Sequence, residues 1–230
     1  MNIDNFTNRA AAYAKGRPGY TKETIEKIIE FASSDAVFAD IGAGTGKLTK
    51  ELAKRGYTIY AVEPNEDMQT QLAITLEPYT NTKIIGSTAE NTPLPDKSID
   101  IITVAHALHW FDIEKFRAEC CRILKPDGLV IVIYNHVPGK EESDFCRQAV
   151  DKFFSNPVFW TFSNPVSYTR DNWLAYIQSQ DDSILPGEHG YEEYISSLNK
   201  TFDRDSIDGV LSCDRLTRIY VEQTNITFQG

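Results

Sequence analysis

Histidine and cysteine are scarce in this chain, with four of each among 230 residues. Cys120, Cys121, Cys146 and Cys213 contain no CxxC spacing, so neither a zinc site nor a disulfide framework is indicated and no metal is expected. Basic residues are outnumbered: 23 Lys and Arg face 33 Asp and Glu. The resulting net charge of −10 repels a phosphate backbone and argues against a nucleic-acid partner. Apolar runs long enough to cross a bilayer are missing, and the opening MNIDNFTNRAAAYAKGRPGY has no apolar signal-peptide core. A cytoplasmic location without a membrane partner is expected. Internal repeats and low-complexity segments are absent as well.

What is present is an alternation of strand-like and helix-like segments. AVFADI (36–41), TIYAVE (58–63), TKIIGS (82–87), IDIITVA (99–105) and GLVIVIY (128–134) are apolar, β-branched runs of strand length. Between them, TGKLTKELAKRG places Leu48, Leu52 and Ala53 on one face and ends at Gly56. NEDMQTQLAITL (65–76) opens on a capping Asn with acids in the first turn, and IEKFRAECCRILKPDG (113–128) runs into a Lys-Pro-Asp-Gly turn. The pattern predicts an α/β, doubly wound and mostly parallel sheet of seven strands, with the last antiparallel. Three sections are expected: a core at 1–135 with an N-terminal helical segment, a helical cap at 136–200, and C-terminal strands at 201–230 that complete the sheet. The cap carries two of the three tryptophans and the aromatic run FFSNPVFWTF (153–162).

The stretch ADIGAGTGKLTKEL (39–52) carries the chemistry. Gly42, Gly44 and Gly46 form GxGxG, whereas a dinucleotide fingerprint needs GxGxxG and finds Lys47 at its third glycine position. Asp40 ends the preceding strand, where a carboxylate suits a ligand amino group better than a pyrophosphate. Glu63, before Pro64, ends the second strand and can accept hydrogen bonds from both hydroxyls of a ribose. A nucleoside with an amino-acid end matches these features.

With FADIGAGTGKLTKELAKRGYTIYAVEPNEDM, then GSTAENTPLPDKSIDIITVAHALHWFD, then RILKPDGLVIVIYN, the chain resembles the class I S-adenosylmethionine-dependent methyltransferases over residues 5–135. YAKGRPGY (13–20) and ALHWFD (107–112) resemble the small-molecule branch that includes the trans-aconitate enzymes. The resemblance implies a Rossmann-like methyltransferase fold, S-adenosyl-L-methionine as cofactor, and in-line methyl transfer to a small acceptor. It assigns Gly42, Gly44 and Gly46 to close backbone approach around the methionine moiety, Asp40 to its ammonium and Glu63 to the ribose. Pro64 and Met68 fall on the adenine pocket, and Thr88, Ala89 and Glu90 on the loop that reaches the adenine edge. Ala105 and His106 end the fourth strand under the sulfonium. Tyr13 and Arg17 match a segment that folds over the cofactor, with Arg17 meeting its carboxylate. The acceptor, and whether O, N, C or S is methylated, does not follow, because one fold hosts many chemistries.

Plainer readings stand beside these. Glu63 could cap the helix near Asn65, Glu90 could be a solvated loop charge, and Met68 could be core packing. Tyr13 and Arg17 could form an ordinary solvated turn. His106 and His109, the catalytic candidates, could orient a substrate carboxylate or accept a proton, while His109 could equally pack the start of the next helix. Trp110, Trp160 and Trp173, with Phe159, Phe162 and Tyr168, are expected to line the acceptor pocket, and Arg170 to supply positive charge there. Two other functions compete: a non-catalytic protein that binds the cofactor, and a nicotinamide-dependent oxidoreductase, which Lys47 argues against.

Overall fold

The computed structural model describes residues 6–139 and 144–222. Its first two helices are α1 (Ala10–Gly16) and α2 (Lys22–Ile29), the second capped by Thr21, whose hydroxyl accepts from the Thr24 N–H. Then follow β1 (Val37–Ile41), α3 (Lys47–Ala53), β2 (Thr58–Val62), α4 (Glu66–Leu76), β3 (Thr82–Ile85) and β4 (Ile99–Ala105). A 3-10 turn at Leu108–Trp110 leads to α5 (Ile113–Ile123) and β5 (Leu124–His136). Beyond lie α6 (Asp144–Phe153), β6 (Val158–Ser163), β7 (Val166–Tyr168), α7 (Arg170–Gln178), α8 (Tyr191–Asp205), β8 (Leu211–Cys213) and β9 (Leu216–Val221).

Seven strands form one sheet in the order β3-β2-β1-β4-β5-β9-β6. The first five pair in parallel, and β9 runs antiparallel to both of its neighbours. Alternate residues of each strand serve opposite faces, which is why the runs read as continuously apolar. On one face Ala39, Ile41, Val132 and Tyr134 pack with Phe116 and Cys120 of α5 and with Val150 and Phe153 of α6. On the other, Phe38, Ile59, Ile131 and Ile133 pack with Ile25 and Ile28 of α2 and with Leu48 and Leu52 of α3. Each fully buried aliphatic side chain of this kind contributes roughly 1.5–3 kcal/mol.

The segment expected to be a helical cap is mixed. Its α6 packs into the core, and β6 joins the main sheet as an edge strand, pairing from Val158↔Val221 to Ser163↔Leu216. Being an edge, β6 exposes Val158 and Phe159, so its pattern lacks the clean burial of a central strand. Of the C-terminal strands, only β9 completes the large sheet; β8 pairs with β7 in a separate two-stranded ribbon. Residues 223–230 of the expected C-terminal section lie outside the described residues.

The cover over the sheet's edge therefore consists of α7, α8 and the β7–β8 ribbon, with a small core of Tyr168, Trp173, Phe202 and Leu211. It is fastened to α1. A Cβ on Gly16 would fall 2.1 Å from the Tyr176 nitrogen, so the two helices touch backbone to backbone and only glycine fits. The buried Arg9 guanidinium donates to the carbonyls of Gln178 (3.2 Å), Gln180 (2.7 Å), Asp181 (3.3 Å) and Ser183 (3.0 Å), and to the Ser183 hydroxyl. It thereby gathers the turn that follows α7, whose Gln178 and Gln180 carbonyls also accept from Ser183.

Candidate active site

At the C-terminal tips of β1, β2 and β4 the glycine turn opens a cleft. Gly42, Gly44 and Gly46 all take positive φ, at 73°, 57° and 81°. Their reasons differ. A Cβ on Gly42 would lie 2.5 Å from the Ala107 Cβ, and one on Gly46 would lie 2.7 Å from Leu72 Cδ1, whereas one on Gly44 would meet no atom within 4 Å. Gly44 thus borders open space, and Gly46, which lines no part of the cleft, serves the packing of α3 against α4. Lys47 follows and donates to the Ala14 carbonyl at 2.8 Å, tying the turn to α1.

The cleft has two lobes that share Tyr13, Gly42, Gly44, Ala105 and His106. The smaller, of about 40 Å³, is lined by Glu63, Pro64, Asn65 and Met68 together with Phe6 and Trp110. Glu63 is buried, accepting from the Gly44 N–H at 2.8 Å and from the Asn65 N–H at 2.9 Å. Burial raises its pKa, and those two N–H groups oppose the shift. Asn65 caps α4 by accepting from the Met68 N–H, so Glu63 braces the helix start and the glycine turn together while still facing the lobe.

The larger lobe, of about 150 Å³, is lined by Arg17, Tyr20, Asp40, Thr45, Tyr176 and Arg215 among others. Asp40 is 1 % exposed, and its carboxylate accepts from the hydroxyls of Thr49 (2.5 Å) and Thr103 (2.9 Å). Burial raises its pKa from 3.8 to about 6, against the pull of those hydroxyls. The fold therefore prefers the neutral acid. As pH rises from about 4 to about 6 the folded state must ionise a group it keeps from water, which lowers stability by about 3 kcal/mol, a loss that persists above that window. Asp40→Asn is expected to raise the unfolding midpoint of the ligand-free protein at pH 7.5 while leaving it little changed at pH 4. Denaturant titrations at both pH values check this, and a midpoint lowered at pH 7.5 would contradict the sign.

His106 stands at φ 56°, a conformation in which a non-glycine residue is strained by about 1–3 kcal/mol. Two bonds hold it there: its N–H donates to the Ile133 carbonyl at 2.9 Å, and its Nε2 accepts from the Asn135 N–H. Because Nε2 is an acceptor, the ring proton sits on Nδ1. Burial first, then the charge of Arg17, push the imidazole pKa down to about 3. His106 is thus a neutral hydrogen-bond donor and not the proton acceptor that its position at the strand tip suggested. His109 lines neither lobe; its Nδ1 lies 3.2 Å from the Tyr134 hydroxyl and 3.8 Å from Cys146 Sγ.

Other expected positions are also revised. Trp160 sits on β6 against Phe31, with the Lys27 ammonium over its ring, and Trp173 belongs to the core of the cover; neither lines the cleft. Trp110 does line it, but in the lobe of Glu63 and Met68. Thr88, Ala89 and Glu90 line neither lobe: Ala89 is buried in the core, and Glu90 accepts from the Asp112 N–H at 3.0 Å. Arg170 is engaged by Asp203 and Asn199. Phe6, Thr45, Asn135, Tyr176 and Arg215 are among the lining residues that had not been singled out, and nothing local marks them except in one case. Thr45 alone had a signal, lying inside the GAGTG turn itself. Among the described residues no cluster of His, Cys, Asp or Glu could hold a metal ion, and no helix is long and apolar enough to cross a membrane.

The strand-tip cleft, with its glycine turn and two acids, thus sits on a sheet of order β3-β2-β1-β4-β5-β9-β6 in which β9 runs antiparallel to both of its neighbours. Residues 39–132 match the family model described as a methyltransferase domain. An uncharacterized methyltransferase of Mycobacterium tuberculosis is 37% identical over 131 residues, covering 57% of this chain and 52% of the relative. The chain spans about half the length of the curated relatives it matches first. Among solved structures, YcgJ of Bacillus subtilis superposes with a TM-score of 0.56 at 17% identity, covering 89% of this chain and 100% of that one. Phosphoethanolamine N-methyltransferase 2 of Haemonchus contortus, in complex with S-adenosyl-L-methionine, gives 0.53 at 14% identity, covering 97% of this chain and 60% of that one. These likenesses establish the fold. A particular resemblance to trans-aconitate enzymes is not borne out among them.

Proposed function

We propose that the protein transfers a methyl group from S-adenosyl-L-methionine to a small acceptor held in the larger lobe. The observation that carries this is the convergence, in one cleft, of the open glycine turn, the carboxylates Asp40 and Glu63, and His106. The residues fit the cofactor. Gly44 borders open space, and the Thr45 hydroxyl is buried there without a hydrogen-bond partner. Glu63 receives the ribose hydroxyls, Pro64, Met68, Phe6 and Trp110 form the apolar wall for the base, and Asp40 faces the ammonium. Arg17, fixed by its bonds to Ser179 at 2.8 and 3.1 Å and seated between the rings of Tyr13 and Tyr176, meets the carboxylate.

When bound, the cofactor supplies an electrophilic methyl group, and displacement requires alignment and exclusion of water. The cover of α7 and α8 provides the exclusion. His106 orients the acceptor through Nδ1–H and takes no proton from it, so its contribution is independent of pH across the neutral range. Titration calorimetry tests the assignment: S-adenosyl-L-methionine and S-adenosylhomocysteine bind and NAD does not. Formation of S-adenosylhomocysteine is then followed with a panel of small carboxylic, phenolic and amine acceptors. Binding without turnover on any of them would favour a non-catalytic binder. His106→Ala is expected to reduce turnover about 10- to 100-fold with little change in cofactor affinity, as for a contact made with the acceptor. A loss of cofactor affinity equal to the loss of rate would overturn that role.

A further inference from the structure

The larger lobe contains two guanidinium groups, Arg17 and Arg215, both packed against the Tyr176 ring, their central carbons 5.4 and 4.7 Å from its centroid. Neither forms an ion pair among the described residues. Arg17 is at least hydrogen-bonded to Ser179. Arg215, on the turn between β8 and β9, has an Nε that is buried without any hydrogen-bond partner. Arg215 faces the hydroxyls of Tyr176 and Tyr168 but no acid among the described residues, so two cations without an acidic partner line one cleft, and in a chain of net charge −10 they are not there to balance the surface.

The charges on the cofactor's amino-acid end account for only part of this set. Its ammonium is matched by Asp40 and its carboxylate by Arg17, which leaves Arg215 with no counter-charge. We infer that Arg215 is the acceptor-recognition residue and that the acceptor carries an oxyanion, a carboxylate or a phosphate, placed against its guanidinium beside His106. The inference rests on the methyltransferase reading for the word acceptor, but the anion site itself does not. Asn135 closes the other side of this corner, its side chain fixed by the Thr217 hydroxyl at 2.5 Å and by Asn164 Nδ2 at 3.4 Å, so the site joins β5, β9 and the cover. A planar guanidinium can grip either oxyanion through two parallel N–H bonds.

Succinate, benzoate and inorganic phosphate are titrated into the full chain, with and without saturating S-adenosylhomocysteine. Wild-type protein is expected to bind at least one of these anions in both conditions. Arg215→Gln, which keeps a stem that can cover Tyr176 but removes the charge, is expected to weaken that binding about 10- to 100-fold and to leave S-adenosylhomocysteine affinity unchanged. Arg215→Lys is expected to recover part of it. Which probe binds distinguishes carboxylate from phosphate recognition. The cofactor-free arm separates the two proposals: anion binding that depends on Arg215 without any cofactor binding would sustain the anion site and sink the methyltransferase reading. The proposal is overturned if wild-type protein binds none of the anions, if folded Arg215→Gln binds them as wild type does, or if that variant loses cofactor affinity to the same degree.

Discussion

Replacing Glu63 by Ala is expected to weaken S-adenosyl-L-methionine binding by about 2–4 kcal/mol, roughly 30- to 1000-fold, because two charge-assisted hydrogen bonds to the ribose are lost. The carboxylate can serve the fold and the ligand at once. Each of its oxygens accepts one backbone N–H, from Gly44 or from Asn65, and retains a second lone pair for a hydroxyl. Its buried position keeps those bonds from competition with bulk water. Glu63→Gln, which preserves one oxygen, should show an intermediate loss. Calorimetry on the folded variants decides the matter: wild-type affinity in Glu63→Ala would remove Glu63 from the cofactor site and leave it only the bracing of α4.

The second large effect is expected at Gly44. Valine there would place its side chain in the space that now holds no atom within 4 Å of a Cβ, so the ligand and not the protein is obstructed. The φ of 57° adds strain of about 1–3 kcal/mol, enough to lower the unfolding midpoint without unfolding the chain. Cofactor binding should fall below detection while the circular dichroism spectrum is retained. Gly46→Ala provides the contrast, since its Cβ would press on Leu72 and should cost stability with a smaller loss of binding in the molecules that remain folded. Tight binding by folded Gly44→Val would mean that the ligand lies elsewhere.

Much of the scaffold was legible because parallel strands buried on both faces leave an unmistakable mark. FADI, TIYAV, IDIITVA and LVIVIY are apolar at nearly every position, and each became a strand of the sheet's centre. The glycine turn and its two acids were equally plain, being local in sequence. By contrast, β6 escaped notice: an edge strand has one neighbour and a half-exposed face, so VFWTFS carries aromatic bulk without a decisive period. The same bulk misdirected the expected pocket, because Trp160 and Trp173 are spent on packing against α2 and inside the cover. Arg215 was hidden for the opposite reason. Nothing around CDRLT marks it, and only tertiary structure brings it to Tyr176 and His106. Sequence did locate His106, but its chemistry depends on the donor that faces Nε2, and that donor comes from a neighbouring strand.

The clasp of Arg9 on the end of α7 has a consequence for how the protein is made. Its hydrogen bonds join residues 169 to 174 positions apart, and the turn bearing Arg215 comes later still in the chain. During synthesis, strands β1 to β5 can pair as they emerge, but the short helix α1, seven residues long and tied to the glycine turn through Lys47, lacks its backbone-to-backbone partner until α7 has been made and folded. Closing so long a loop is slow compared with forming the local βα units. The cover over the ligand then matures late, and a nascent or partly refolded chain would hold the parallel β1–β5 part of the sheet and an unroofed cleft. Far-ultraviolet ellipticity should accordingly recover before cofactor binding in refolding experiments, and ligand added during refolding should favour the final docking of α1 on α7.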